Sequence, residues 1–268
     1  MTFEHLILET DDRGVATMTL NRPEVHNAFN EKLIAEITAA AEQLGADDTV
    51  RAVILRGAGK SFSAGGDLKW MQAAAKYTET ENWNDALKLS GMLHALNFMP
   101  KPLIALVHGA CMGGGVGLVS CADIAIATRD AKFALSEVRL GLIPAAISPY
   151  VIAAIGARQA RRYFLSGERF TGTRAKSLGL IHETVGMQDD LDDWAGTTVK
   201  DLLAGGPYAV SAAKKLVFAV AGKDISQDLQ QNTAERIAVR RASKEGQEGL
   251  AAFFEKRHPN WVPIESED

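Results

Sequence analysis

An α/β fold is what this sequence predicts, and three observations carry that reading. Ala52–Leu55, Leu103–Val107 and Ile124–Ala127 are short, almost wholly apolar runs. That is the pattern of strands covered on both faces, not the alternation of half-exposed ones. Helical sequence separates them, as in a sheet with crossover connections. Beyond about Gly156 the sequence is almost all helix-forming, which adds a C-terminal helical subdomain to the α/β core.

The elements follow in order. Phe3–Glu9 and Val15–Leu20 flank the turn sequence Asp11-Asp12-Arg13-Gly14, which predicts an opening hairpin. Asn21-Arg22-Pro23 ends it. Asn30 is placed to cap a helix running to about Leu44, with Leu33, Ile34, Ile37 and Ala41 on one face and Gly45 as its stop. The strand at Ala52–Leu55 closes on Arg56-Gly57-Ala58-Gly59. A loop then covers Ser61–Asp67, and helical sequence continues to about Met99. Lys132–Ala134 is the last predicted strand, and the helical tail should break near Gly167, Gly179, Gly205-Gly206-Pro207 and Gly222.

With 268 residues, 47% hydrophobic and 23% charged, the chain is long enough for one large domain or a domain with a helical appendage. No apolar run is long enough to cross a bilayer. The start, Met1-Thr2-Phe3-Glu4-His5, has neither the basic segment nor the apolar core of a secretory leader. A net charge of −4 argues against broad binding to a nucleic-acid backbone. The local basic clusters, Arg158 with Arg161 and Arg162, and Arg236 with Arg240, Arg241 and Lys244, read as solvated helix faces. Cys111 and Cys121 have neither metal-ligand nor redox spacing. As reduced, buried thiols they fit a cytoplasmic protein. The expectation is no metal, no nucleic acid and no membrane.

Chemistry concentrates in glycine turns and one carboxylate. Behind the strand Leu103–Val107 comes His108-Gly109-Ala110-Cys111-Met112-Gly113-Gly114-Gly115-Val116-Gly117. Adjacent glycines let another molecule approach the backbone closely. A helix restarting there presents free N–H groups and a positive partial charge, which suit an oxyanion; a plain strand-to-helix turn fits the same residues. A second such turn, Ser61-Phe62-Ser63-Ala64-Gly65-Gly66-Asp67-Leu68-Lys69, follows the strand at Ala52–Leu55. Gly59-Lys60-Ser61 has the end of a nucleotide loop, but Ile54 stands where its first glycine belongs. Glu137 lies among apolar neighbours in Phe133-Ala134-Leu135-Ser136-Glu137-Val138-Arg139-Leu140-Gly141-Leu142-Ile143-Pro144. By spacing alone, an ion pair with Arg139 or Lys132 accounts for it.

These motifs, in this order, resemble the enoyl-CoA hydratase/isomerase (crotonase) superfamily. The likeness runs from Leu20-Asn21-Arg22-Pro23 to Phe253-Phe254-Glu255-Lys256-Arg257. It implies a crotonase-type β-β-α spiral core that binds acyl-CoA over residues 1–200 and a C-terminal helical trimerisation region over 201–268. It also implies homotrimers, often paired into hexamers, and an acyl-CoA thioester substrate with no separate cofactor. Carried over residue by residue, the oxyanion hole falls on the N–H groups of Gly66 and Gly114. The segment Ala64, Gly65, Asp67 and Leu68 falls where the adenine of CoA is held through the backbone. Lys69 and Lys256 fall near the CoA phosphates, though a solvated lysine explains each as well.

The departure from the pattern is Gly117. Hydratases of this family typically carry two glutamates; the second corresponds to Glu137, and the first would stand at position 117. One carboxylate can take a proton from water and deliver it to carbon on the same face, or another group replaces the missing partner; Ser136, Ser148 and Tyr150 are the candidates. The stretch Ser136–Val151 with Gly113–Gly117 looks like the bacterial methylglutaconyl-CoA hydratase branch, whose relatives act on carboxygeranoyl-type esters. That implies hydration of a branched, carboxylated enoyl-CoA. A double-bond isomerase using one carboxylate and a non-catalytic acyl-CoA- or RNA-binding protein are the alternatives.

Overall fold

The computed structural model describes residues 3–262; Met1, Thr2 and residues 263–268, at the outer ends of the two expected regions, lie outside it. The described residues form nine strands: β1 (Leu6–Thr10), β2 (Val15–Leu20), β3 (Ala52–Gly57), β4 (Leu103–Val107), β5 (Ala110–Met112), β6 (Ile124–Thr128), β7 (Lys132–Ala134), β8 (Phe170–Thr171) and β9 (Glu183–Val185). The main sheet runs β1-β2-β3-β4-β6-β9, and a smaller one runs β5-β7-β8. The predicted hairpin is present, antiparallel, with Leu6 opposite Leu20 and Thr10 opposite Ala16. From β2 onward every neighbouring pair in the main sheet is parallel.

Ten helices complete the described fold: α1 (Glu31–Ala46), α2 (Leu68–Ala74), α3 (Glu79–Phe98), α4 (Gly114–Cys121), α5 (Ser148–Ser166), α6 (Gly172–Leu178), α7 (Asp190–Ala204), α8 (Pro207–Val220), α9 (Gln227–Ala242) and α10 (Lys244–Glu255). Strand β4 shows why its sequence is apolar throughout. Leu103, Ala105 and Val107 enter the large core with Leu33, Ile37 and Leu93 of α1 and α3. Ile104 and Leu106 enter a smaller core against Leu191, Ala195 and Val199 of α7. Both faces are covered, so neither tolerates a polar side chain.

Several predicted boundaries shift. The Asn30 side chain does cap α1, accepting from the Leu33 N–H. Gly45, however, lies inside the helix, which ends at Ala46 because Gly45 keeps helical geometry. The helical stretch before Met99 is two helices, since Thr78 forms a capping box with Glu81 and restarts the chain as α3. The tail contains β8 and β9, two and three residues long, too short for periodicity to show. Helix α7 crosses residue 200 and belongs to the sheet by its buried face. In α8–α10 only Ala252 is buried, and Phe253 and Phe254 stand 76% and 75% exposed.

Arg158, Arg161 and Arg162 are exposed on α5, with Arg162 paired to Glu168. Both cysteines are buried and free, and burial pushes their thiols up. No described helix is long and apolar enough to cross a membrane.

Candidate active site

The two glycine turns meet although about fifty residues separate them in the chain. The segment after β3 runs beside β5: Phe62 N–H donates to the His108 carbonyl, Ser63 N–H to Ala110, and Met112 N–H back to Ser63. Phe29 ties the upper end, since its N–H donates to the Gly65 carbonyl and its own carbonyl accepts from Asp67. Its ring lies against Gly114, where a Cβ would stand 2.8 Å from the Phe29 Cε2 atom. Only glycine admits that approach. Among the described residues, the N–H groups of Gly66 and Gly114 donate to no protein acceptor.

Both glycines line a cleft of about 440 Å3. Its walls are almost wholly apolar, with Phe29, Trp70, Met71, Leu89 and Ile147 among them. Glu137 is the one ionisable side chain in the lining. It opens a short 3-10 turn, Glu137–Leu140. Its Oε1 approaches Gly113 so closely that a Cβ there would be 3.1 Å away. Gly113 also needs its glycine for φ, which is +49°. The Glu137 Oε2 is buried and has no hydrogen-bond partner. Burial pushes the carboxyl above its ordinary range, only partly offset by its own backbone N–H. The ion pair that spacing suggested is absent: Glu137 has no salt bridge among the described residues, and the Arg139 side chain packs instead over Gly167. A buried carboxylate oxygen without a partner is a costly arrangement and marks a candidate site for proton transfer.

The other predicted residues divide. Ala64, Gly65, Gly66, Leu68 and Ser136 line the cleft with Gly114 and Glu137. Asp67 and Lys69 line a neighbouring groove with Arg22 and Lys32. The Asp67 side chain is engaged within the chain, capping α2 through the Lys69 N–H at 2.8 Å and pairing with Arg22 Nη2 at 2.8 Å. Burial raises the Asp67 carboxyl, but Arg22 and the two capping N–H groups outweigh it and hold the carboxyl below its usual range. Lys256 ends α10 in the left-handed region and lines neither cleft nor groove. Ser148 Oγ donates to the Ala145 carbonyl, and Tyr150 lines a different cavity, so neither lines the cleft as a partner for Glu137. The place at 117 is filled: a Cβ on Gly117 would lie 2.4 Å from Ile147 Cγ2.

Sequence reasoning missed Phe29, Trp70, Met71, Leu89 and Ile147. Each is an apolar residue of the kind that fills any core, and nothing in its spacing separates cleft wall from interior. No described group of three or more His, Cys, Asp or Glu side chains is arranged to hold a metal ion.

Known proteins share this arrangement of chain. The family model for enoyl-CoA hydratase/isomerase matches residues 10–263. The chain is 34% identical to a probable enoyl-CoA hydratase of Mycobacterium bovis, over 98% of this chain and 99% of that one. It is 30% identical to the trans-2-decenoyl-acyl-carrier-protein isomerase of Streptococcus mutans, over 98% and 99%. Among solved structures, an enoyl-CoA hydratase from Shewanella pealeana superposes with a TM-score of 0.93 at 45% identity, covering 97% of this chain and 96% of that one. AtuE of Pseudomonas aeruginosa gives a TM-score of 0.93 at 38% identity, covering 97% and 100%. The profile, the fold and these full-length relatives agree, and the chain belongs to the enoyl-CoA hydratase/isomerase family.

Proposed function

We propose that this protein hydrates an α,β-unsaturated acyl-CoA, with Glu137 as its one general acid and base and the N–H groups of Gly66 and Gly114 as its oxyanion hole. The observation that carries the proposal is the unpartnered Oε2 of Glu137 inside the cleft that both free N–H groups line. In this scheme the thioester carbonyl accepts from the two N–H groups. The Glu137 carboxylate takes a proton from water as the water oxygen bonds to the β-carbon, and negative charge moves onto the carbonyl oxygen. Glu137 then returns that proton to the α-carbon. One preorganised donor at such an oxygen is worth about 3–4 kcal/mol of barrier, and a positioned acid/base about 10²–10⁴ in rate.

The finer expectation, a second carboxylate on a branched acyl chain as in methylglutaconyl-CoA, rests on the sequence resemblance. The lining offers no cationic side chain to receive it. The proposal therefore takes short or branched apolar enoyl chains as the first substrates. Crotonyl-CoA and methylglutaconyl-CoA compared in one assay test this. Hydration of crotonyl-CoA is expected. Turnover of methylglutaconyl-CoA alone would favour the carboxylated reading, and turnover of neither by folded protein would remove the hydratase assignment.

A second reading has its own observation. Ile147 occupies the place a second carboxylate would need, and moving a double bond from the β,γ to the α,β position needs only one. There Glu137 takes the α-proton and returns it at the γ-carbon through the same oxyanion hole. Product analysis in heavy-oxygen water separates the two, since only hydration incorporates solvent oxygen. Homotrimers are proposed from the resemblance, with the exposed apolar residues of α8–α10 as the contact surface.

A further inference from the structure

On the acyl-CoA reading given above, we propose that Ile147 is the stop of the acyl site: its side chain, seated on Gly117, closes the cleft against a second cavity and sets how long a chain the protein accepts. Gly113, the residue before α4, and Gly117, in its first turn, are joined by the Gly117 N–H donating to the Gly113 carbonyl at 3.3 Å. Gly113 meets the Glu137 carboxyl and Gly117 meets Ile147. Ile147 and the Glu137 carboxyl therefore bear on one short stretch of chain, and both line the cleft. Ile147 is 3% exposed, and Leu93 closes the contact from α3, 3.4 Å from where a Cβ on Gly117 would stand. An acyl chain held by its carbonyl at Gly114 and running toward Gly117 meets this wall.

What lies beyond is open. A cavity of about 500 Å3 is lined by Val119 and Cys121, farther along α4, and by Pro149, Tyr150 and Ala153, farther along α5. Along α4, Gly117 stands between Gly114, which lines the cleft, and Val119, which lines this cavity; on the other segment Ile147 is the last residue lining the cleft and Pro149 the first lining the cavity. Ile147 and Leu93 together wall the cleft at Gly117, and shortening the Ile147 side chain deepens the acyl site on that side.

The test is the ratio of kcat/KM for 2-decenoyl-CoA over crotonyl-CoA in Ile147→Ala and Ile147→Val. Pocket residues discriminate by about tenfold or more per methylene. Ile147→Ala is expected to raise the ratio at least tenfold, and Ile147→Val to raise it about threefold. In the Ile147→Ala background, Ala153→Phe refills the second cavity and should return the ratio to near its original value. A ratio unchanged within twofold in whichever of the two Ile147 variants folds would overturn the proposal. So would a gain that Ala153→Phe leaves intact, because the chain would then leave the cleft by another route. If the parent protein turns over neither ester, the function proposed above fails and not this one. Calorimetric affinities for butyryl-CoA and decanoyl-CoA then supply the same ratio without catalysis, with the same outcomes.

Discussion

Two carboxylates stand beside the cleft in opposite condition. Asp67 is fully engaged: two backbone N–H groups and the Arg22 guanidinium satisfy it. Its carboxyl is held below the usual range. Glu137 has an oxygen with no partner, and burial pushes its carboxyl up. The difference lies in what surrounds each group. Asp67 caps a helix and faces a cation, so its charge is neutralised and it holds two loops together. Glu137 sits on a short turn among apolar side chains, so its charge is costly and its proton is available. A satisfied carboxylate builds; an unsatisfied one is free for chemistry.

Loss of the Glu137 carboxylate should be felt most in turnover. Glu137→Gln should lower turnover about 10²–10⁴-fold while the protein stays folded, as read by steady-state kinetics and circular dichroism. Undiminished turnover in a preparation free of contaminating hydratase would show that Glu137 does no chemistry and point to a binding protein. Gly114→Ala comes next. Its methyl group would stand 2.8 Å from the Phe29 ring, displacing the N–H from its aim. About a tenfold to hundredfold loss in kcat is expected, with Phe29→Leu in the same chain recovering part of it.

Asp67→Ala tests the other carboxylate, through stability. The Arg22 side chain is 11% exposed and its partner 9%, and Arg22 Nε is already without an acceptor. The pair lies between surface and interior. Breaking it should cost about 2–3 kcal/mol in urea unfolding, less than a deeply buried pair and more than an exposed one. A change below about 0.5 kcal/mol would mean that the pair is a surface contact.

The smallest effects are in pH. The ionised form of Glu137 is needed to accept a proton from water, so the acid limb of kcat/KM should lie above the ordinary carboxylate value of 4.5. The folded state favours the neutral carboxyl, so this group's contribution to stability is lost as pH rises from 4.5 through the raised value. Glu137→Gln should therefore melt slightly higher than the parent at neutral pH, and the gap should close in acid. An acid limb at or below 4.5 would show the group to be solvated.

Much of this was legible in sequence, and the particular residues show why. Leu103–Val107 declared a strand covered on both faces because every position is apolar, and Asn30 declared a helix start because its side chain can accept a backbone N–H. The hairpin turn at Asp11–Gly14 was equally plain. The end of α1 was misread at Gly45 because glycine permits a stop without requiring one. Strands β8 and β9 went unseen because pairing with β7 and β6, not local pattern, makes them strands.

Residue order alone supplies the types that chemistry needs: glycines where backbone must be bare, one glutamate in an apolar setting, and strands that must be buried. Which of these meet is settled by how distant segments pack. That packing set the Gly65–Gly66 turn beside Met112–Gly114 through Phe29, denied Glu137 its sequence neighbours as partners, and laid Ile147 on Gly117. Local preferences are written in single residues and short periods, whereas convergence and exclusion depend on packing between segments far apart in the chain.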